Sequence, residues 1–252
     1  TMKDEQELTF WEHLDVLRAC IFKMLAVVVV CGMSAFFFKE QLFEIVLAPR
    51  SSDFITYRML GAEPFQIHLV NIGLTEQFMI HMKTAFFFGI ICASPYLLYL
   101  LYKFISPALY LNERHYAVRV VGSGYVMFII GVLMNYFLIF PLTVRFLGTY
   151  QVSTDVENML SLQSYMDTLL MMSLVFGIVF EIPVISWLLA VFGLLKAEWM
   201  QRYRRHAIVV ILIVAAVITP TADIFTLIIV SLPIWMLYEI SILIVKTTNI
   251  ER

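Results

Sequence analysis

One nearly uncharged stretch decides the class of fold. Residues 168–195 read TLLMMSLVFGIVFEIPVISWLLAVFGLL, in which Glu181 is the single charged residue. One helical crossing of a bilayer requires about 20 consecutive apolar residues. The stretch therefore predicts a membrane-spanning helix.

The composition of the whole chain agrees with a membrane protein. Of its 252 residues, 61% are hydrophobic and 14% are charged, whereas soluble domains average about 45–50% and about 25%. Aromatic residues make up 15% of the chain, which excludes intrinsic disorder. The net charge of −2 gives no general basic surface for nucleic acid. We therefore predict an all-α integral membrane protein with no nucleic-acid partner.

Six spans are predicted within a single membrane domain of residues 1–252. They cover about 20–38, 78–102, 118–144, 164–195, 205–220 and 224–245. Spans five and six are expected to be short, since a helix from Ala207 to Pro220 extends only about 20 Å against a hydrocarbon core of about 30 Å. The alternative for this pair is one long hairpin that enters the bilayer and returns.

The distribution of basic residues predicts the orientation. Twelve of the 17 Lys and Arg residues lie in segments that are cytoplasmic if the N-terminus is inside, four lie outside, and Lys83 lies at the outer end of span two. Cytoplasmic loops are enriched in these residues, so both termini are expected in the cytoplasm. The acidic first seven residues lack a basic n-region, so no cleavable signal peptide is expected.

Local motifs predict where helices begin and bend. Thr9 and Glu12 match a capping box at the start of the first helix. Ser106-Pro107 is typical of the start of a short helix in the first cytoplasmic loop. Pro95 and Pro183 lie inside spans two and four, where proline is expected to kink a helix.

Acidic residues inside the predicted spans are the strongest functional candidates. Glu181 has 13 uncharged residues before it and 14 after it, which places it near the bilayer midplane. A carboxylate there costs several kcal/mol unless it faces protein or water, or takes up a proton. It therefore indicates a polar pocket, or alternatively a protonated Glu hydrogen-bonded to a neighbouring helix. Glu239 lies nearer the cytoplasmic end of span six, and Asp223 suits a turn or a helix cap.

A second group of acidic residues lies on the predicted cytoplasmic face. The first 15 residues carry five acidic side chains against Lys3 alone, and Glu113 lies in the first cytoplasmic loop. Carboxylates bind arginine guanidinium groups in bidentate fashion, so these positions suit a ligand with two arginines. The alternative is a solvated tail with acids that favour a helix start.

Motifs for catalysis and metal binding are absent from the sequence. No zinc-protease, nucleophile-elbow or phosphate-loop pattern occurs, and the five histidines lack metal-ligand spacing. The three cysteines are too scattered for a disulfide framework. We therefore predict a protein that is not an enzyme and that uses no cofactor or metal.

Four motifs, in order along the chain, resemble the TatC family, the polytopic subunit of the twin-arginine protein translocase. They are residues 13–18 (HLDVLR), residues 104–110 (FISPALY) followed by Glu113-Arg114, residues 176–184 (FGIVFEIPV), and Thr219-Pro220 with Asp223, Pro233 and residues 237–239 (LYE). The resemblance implies six helices in a cup-like arrangement, with helices five and six short, in the cell inner membrane.

The resemblance also implies a receptor and core scaffold that works by proton-motive force. It would bind the twin-arginine signal peptide of folded proteins and nucleate a complex that contains single-span TatA/TatB-type subunits, further copies of itself and membrane lipid. The implied signal-peptide residues are Glu113, Arg114, Asp15, Glu12 and Arg18; the implied intramembrane pocket residue is Glu181; the candidate partner contacts are Glu239, Thr219 and Pro220.

One departure from the family pattern affects the N-terminal motif. The position of the family glutamate holds Val16, and the usual basic residue two positions after Arg18 is Cys20. Asp15 lies about 100° away around a helix, whereas Glu12 shares the face of Val16. Either carboxylate substitutes for the glutamate, or the chain relies on Glu113 alone.

Two other functions compete with the receptor. A proton-coupled small-solute transporter would use Glu181 as its protonation site, but such folds usually show an internal repeat, and the chain shows none. A membrane scaffold without cargo recognition is the second alternative.

Overall fold

A computed structural model describes residues 10–61, 65, 67–105, 116–150, 159–219 and 223–250. Its elements, in chain order, are α1 (Phe10–Phe36), α2 (Lys39–Leu47), a 3-10 turn (Ala48–Arg50), α3 (Ile55–Met59), β1 (His68–Val70), α4 (Glu76–Ile105), α5 (Tyr116–Met134), a π-helical turn (Asn135–Ile139), α6 (Phe140–Thr149), β2 (Met159–Ser161), α7 (Leu162–Val179), α8 (Ile182–Val191), α9 (Ala197–Arg202), α10 (Arg204–Ile218) and α11 (Ile224–Ile250).

The helices confirm an all-α membrane fold. Within the described ranges, five helical stretches are long and apolar enough to cross a bilayer: Leu14–Phe36, Glu76–Phe104, Arg119–Thr149, Leu162–Val191 and Ile224–Thr248. The remaining predicted span, span five, corresponds to α10, whose 15 residues extend about 22 Å. Span five is therefore short, as predicted, while the cup-like arrangement stays a prediction.

The prediction that span six is also short is wrong. Helix α11 has 27 residues and extends about 40 Å, enough to cross the hydrocarbon core and its interface. The apolar run in the sequence stops at Lys246, but the helix continues past it to Ile250. Lysine is a good helix former, so the charge ends the apolar run without ending the helix.

Prolines divide two of the spans. Span four breaks at Glu181, between the end of α7 and the start of α8, where Pro183 occupies the first helical turn; this confirms the predicted kink. Pro95 lies inside α4 without ending it. Span three contains a break that we did not predict, because a π-helical turn precedes Pro141 at the start of α6.

Glycines let the helices approach closely. A Cβ added to Gly89 on α4 would lie 2.6 Å from the backbone nitrogen of Gly32 on α1, and one added to Gly131 on α5 would lie 2.5 Å from the carbonyl oxygen of Phe176 on α7. Membrane helices associate largely through such close packing of small residues. The buried core that results joins spans three to six around Phe176, Ala215 and Val230.

The segment between α1 and α4 is folded and packs against the ends of the neighbouring spans. It contains α2, α3 and β1, and β1 pairs in parallel with β2. Three tyrosine hydroxyls donate to backbone carbonyls in and just after α2: Tyr136 to Ile45 (2.6 Å), Tyr165 to Val46 (3.0 Å) and Tyr57 to Pro49 (2.9 Å). Burial raises the pKa of Tyr57 above its ordinary range, and the nearby Arg145 acts in the opposite direction. The Tyr57 hydroxyl therefore keeps its proton and its hydrogen bond.

Candidate functional site

Glu181 occupies the break between α7 and α8 and is buried, with 9% of its surface exposed. Its side chain points at α5: a Cβ added to Gly124 would lie 3.0 Å from Oε2 of Glu181 and 3.5 Å from a terminal methyl carbon of Leu98 on α4. The missing side chain at position 124 thus leaves the space that the carboxylate fills. The three helices α4, α5 and α7–α8 together form the walls around this group.

The hydrogen bonding of Glu181 is incomplete. Its Oε1 atom is buried and has no hydrogen-bond partner among the described residues. The break follows from the sequence, because Pro183 has no N–H to donate to the carbonyl of Val179, four residues before it. A buried carboxylate without a partner either holds a proton or accepts a hydrogen bond from a ligand. Oε1 of Glu181 can therefore hold a proton or accept a hydrogen bond from a polar group that reaches it.

Two of the N-terminal candidates, Asp15 and Arg18, lie on the exposed surface of α1. The side chains of Asp15 and Arg18 are exposed, and the Arg18 guanidinium lies 5.8 Å from the ring centre of Phe22. The helix runs through residues 12–16, so Glu12 and Val16 share one face, as expected from their spacing of four. No hydrogen bond or ion pair in the described part of the chain joins Asp15 or Arg18 to Glu181.

Several predictions concern positions that the structure does not describe. Glu113, Arg114 and the predicted helix start at Ser106-Pro107 lie outside the described residues, as do Thr9 and Pro220. Their roles therefore stay predictions.

The second half of α11 holds Glu239 in an ion pair. Its Oε2 accepts a hydrogen bond from the Arg204 guanidinium at 2.7 Å, and the two side chains are 28% and 48% exposed. Glu239 thus lies beside the first residue of α10. The predicted location near the interface agrees with this pairing, and its role as a partner contact stays a prediction.

The turn between α10 and α11 supports the expected cap. The backbone N–H of Thr226 donates to Oδ1 of Asp223 at 2.7 Å, and the Thr226 hydroxyl donates to Oδ2. Thr219 is buried, with 5% exposed, and ends α10. Asp223 therefore caps α11.

Two polar pairs in the predicted outer half of the spans have no counterpart in the sequence analysis. Lys83 of α4 forms a 2.6 Å ion pair with Asp167 of α7, and the buried amide of Asn135 donates to the Ser173 hydroxyl at 2.8 Å. The first pair could have been found, because both charges lie within a few residues of the predicted outer ends of spans two and four. The second could not, because neither Asn nor Ser interrupts an uncharged run.

These features define a class: a multi-pass helical membrane protein with a buried carboxylate at a proline break in its fourth span. Residues 12–233 match the model of the family described as Sec-independent protein translocase protein (TatC). The chain belongs to the TatC family.

Curated relatives match over almost their whole length. The TatC protein of Blattabacterium sp. subsp. Periplaneta americana (strain BPLAN) is 33% identical, and the alignment covers 96% of each chain. That of Aquifex aeolicus (strain VF5) is 32% identical, again over 96% of each chain. A solved structure described as a twin arginine translocase receptor, TatC, matches with a TM-score of 0.81 and 30% identity over 94% of this chain and all of that one.

Membership of the family confirms the predicted resemblance. The chain is a multi-pass protein of a bacterial inner-membrane family and a component of twin-arginine translocation. Its relatives are translocase components, which makes it a transport protein rather than an enzyme.

Proposed function

We propose that this chain is the receptor and core scaffold of the twin-arginine translocase. It binds the twin-arginine signal peptide of folded proteins at its cytoplasmic face and nucleates the translocation complex, which the proton-motive force drives. The observation that supports this most directly is the buried, unpartnered carboxylate of Glu181 at the break in span four.

The arginine pair of the signal peptide docks on cytoplasmic carboxylates. Glu113, followed by Arg114, is the principal contact, because a carboxylate pairs with a guanidinium through two parallel hydrogen bonds. On α1, Asp15 is exposed and offers a second carboxylate, while Glu12 takes the face that Val16 occupies. Arg18, exposed on the same helix, limits how deeply the positive end of the peptide can enter.

The apolar part of the signal peptide then extends between the spans towards Glu181. A peptide that brings one backbone N–H group near Oε1 would supply the missing hydrogen bond, and hydrogen bonds of this kind are costly to leave unmade in a low-dielectric site. The glycine at position 124 leaves the space in which the carboxylate is held. The pocket therefore favours a ligand whose backbone or polar side chain reaches the middle of the bilayer.

Single-span TatA/TatB-type subunits dock near spans five and six. Glu239, Thr219 and Pro220 are the candidate contacts. Helix α10 supports this location, because its outward residues Val209, Ile213 and Val217 are more than half exposed and form an apolar face at membrane depth.

The docking step is tested by crosslinking a twin-arginine precursor to the receptor in inner-membrane vesicles. We expect Glu113→Gln to abolish the crosslink at the cytoplasmic face, because the substitution removes the charge and keeps the size. Glu40→Gln, an exposed carboxylate of α2, is the matched control and should retain it. Normal crosslinking and export by the Glu113 variant would refute the docking proposal.

The pocket is tested separately with Glu181→Ala and Glu181→Gln. We expect both variants to insert into the membrane and to bind the arginine pair at the surface. Glu181→Ala should export a folded reporter at a rate reduced at least about tenfold, which corresponds to the roughly 1.4 kcal/mol of a charged hydrogen bond at the low end of its range. Unimpaired export by Glu181→Ala would remove Glu181 from the mechanism.

A further inference from the structure

A dense group of cations lies between α8 and α10, in a segment that we call the basic segment (residues 196–206). Its charged residues are Lys196, Arg202, Arg204 and Arg205 against Glu198, and all five are exposed. Glu239 of α11 pairs with Arg204. The other three cations have no carboxylate partner among the residues that the structure describes. The basic segment therefore presents uncompensated positive charge.

The basic segment is held rigidly by its buried side. Ala197 and Met200 of α9 are 7% and 8% exposed and pack with Ile242 and Val245 of α11. The Tyr238 hydroxyl donates to the carbonyl of Met200 at 2.8 Å. One face of α9 is thus fixed to the bundle, so the opposite face has a defined position, and less side-chain and backbone freedom is lost when a ligand binds there.

Two aromatic residues accompany the cations. Trp199 and Tyr203 are 53% and 56% exposed, and Lys196 Nζ lies 5.9 Å from the ring centre of Trp199. Exposed Trp and Tyr side chains collect at the headgroup level of a bilayer, where one end of the ring is apolar and the other is hydrated. Their exposure beside three cations marks the basic segment as membrane-contacting.

The length of α10 fixes the depth of the basic segment. The helix has 15 residues and extends about 22 Å, so it is about 8 Å shorter than the hydrocarbon core. Arg204 and Arg205 are the first two residues of α10. The helix is therefore too short to extend them beyond the bilayer into bulk water. Charged side chains avoid the hydrocarbon, so a bilayer crossed by α10 would hold Arg204 and Arg205 at headgroup level.

We propose that the basic segment binds the headgroups of anionic phospholipids and so anchors the corner between α9 and α10 to the membrane surface. Arginine binds phosphate oxygens through two parallel hydrogen bonds, and Arg202 and Arg205 are both available for this. The partner is a lipid phosphodiester because a segment at headgroup level meets phosphate oxygens at high local concentration.

The experiment uses Trp199 as a reporter inside the proposed surface. The other three tryptophans are replaced in the full chain: Trp11→Phe, Trp187→Phe and Trp235→Phe. The protein is reconstituted into phosphatidylcholine vesicles that contain the same minor fraction of brominated phosphatidylglycerol or of brominated phosphatidylcholine. We expect stronger quenching of Trp199 by the anionic lipid, and a preference that falls about fivefold for each of Arg202→Gln and Arg205→Gln.

Controls separate the basic segment from a general effect of charge. Arg50→Gln with Arg58→Gln, exposed cations of the outer segment, should leave the quenching preference unchanged. The unaltered chain provides a second measurement, because phosphatidylglycerol that remains after detergent purification is counted by mass spectrometry and should decrease in the Arg202→Gln, Arg205→Gln variant.

Three results would overturn the proposal. One is equal quenching of Trp199 by both brominated lipids together with no anionic lipid retained by the unaltered chain. Another is loss of the preference when inorganic phosphate is added, which would identify a site for free phosphate. The third is unchanged lipid retention by the Arg202→Gln, Arg205→Gln variant with loss of a co-purifying protein subunit, which would identify an acidic protein partner.

Discussion

Two glycines of α5 face the same partner helix and differ in what they approach. A Cβ at Gly131 would lie 2.5 Å from the backbone oxygen of Phe176, whereas one at Gly124 would lie 3.0 Å from the end of the Glu181 side chain. The backbone oxygen of Phe176 can move only if α7 moves. The carboxylate of Glu181 can shift by a few tenths of an ångström when its side chain rotates. Gly131 therefore sets the distance between two helices, and Gly124 sets the position of one functional group.

We predict that Gly131→Ala lowers stability and that Gly124→Ala does not. Overpacking of a tight contact costs about 1–3 kcal/mol, while each Gly→Ala change in a helix gains up to about 1 kcal/mol. Thermal unfolding in detergent, followed by circular dichroism, should rank Gly131→Ala below Gly124→Ala. Gly122→Ala is the control, since nothing lies within 4 Å of its added Cβ. A Gly131→Ala protein as stable as the control would contradict the close approach of α5 and α7.

At the scale of elements, α3 compensates for the proline in span three. Pro141 has no N–H and so cannot donate to the carbonyl of Phe137, four residues before it. The hydroxyl of Thr56, in α3, donates to this carbonyl instead. The Tyr57 hydroxyl lies 3.0 Å from the carbonyl oxygen of Pro141 and shares its one proton between this carbonyl and that of Pro49. The contacts of Thr56 and Tyr57 therefore hold α3 in place, and they also stabilise the break in span three.

This compensation predicts a coupling between Thr56 and Pro141. Thr56→Val should cost about 1–3 kcal/mol, because it leaves a buried carbonyl without its donor. In a Pro141→Ala background, the N–H of the new alanine can donate to the Phe137 carbonyl. Thr56→Val should then lower the free energy of unfolding by at least about 0.5 kcal/mol less than it does in the unaltered chain. The measurement is a double-mutant cycle of unfolding free energies in detergent. Thr56→Ser keeps the hydroxyl and is expected to be tolerated; equal costs in both backgrounds would refute the coupling.

The sequence predicts elements well where charge or proline marks them. The scarcity of charge locates the spans, and Pro183 locates the break in span four. Pro141 gives no comparable indication, because its effect depends on Thr56, which is 85 positions away in the chain. The length of α11 was underestimated for a related reason, since Lys246 ends an apolar run while the helix continues.

At the scale of the whole molecule, the site is predictable only in part. The position of Glu181 within an uncharged run indicates a buried carboxylate, and the structure places it there. The space beside it depends on Gly124, on a different span, and a linear pattern does not show which glycine of α5 meets which residue of α7. The pairing of Glu239 with Arg204 likewise depends on how α10 and α11 pack. It joins the carboxylate of span six to the first residue of α10.

The orientation of the chain is a property of the whole molecule and has a direct test. The excess of Lys and Arg on one side predicts that the segment containing Gln201 lies in the cytoplasm and that the segment containing Asp53 lies outside. Both side chains are exposed. A single cysteine at either position, in a chain whose Cys20, Cys31 and Cys92 are replaced by alanine, reports its side of the membrane. A membrane-impermeant maleimide added to intact cells should label Asp53→Cys, and should label Gln201→Cys only after the membrane is permeabilised. The reverse pattern would contradict the predicted orientation, and labelling of both positions in intact cells would contradict an odd number of spans between them.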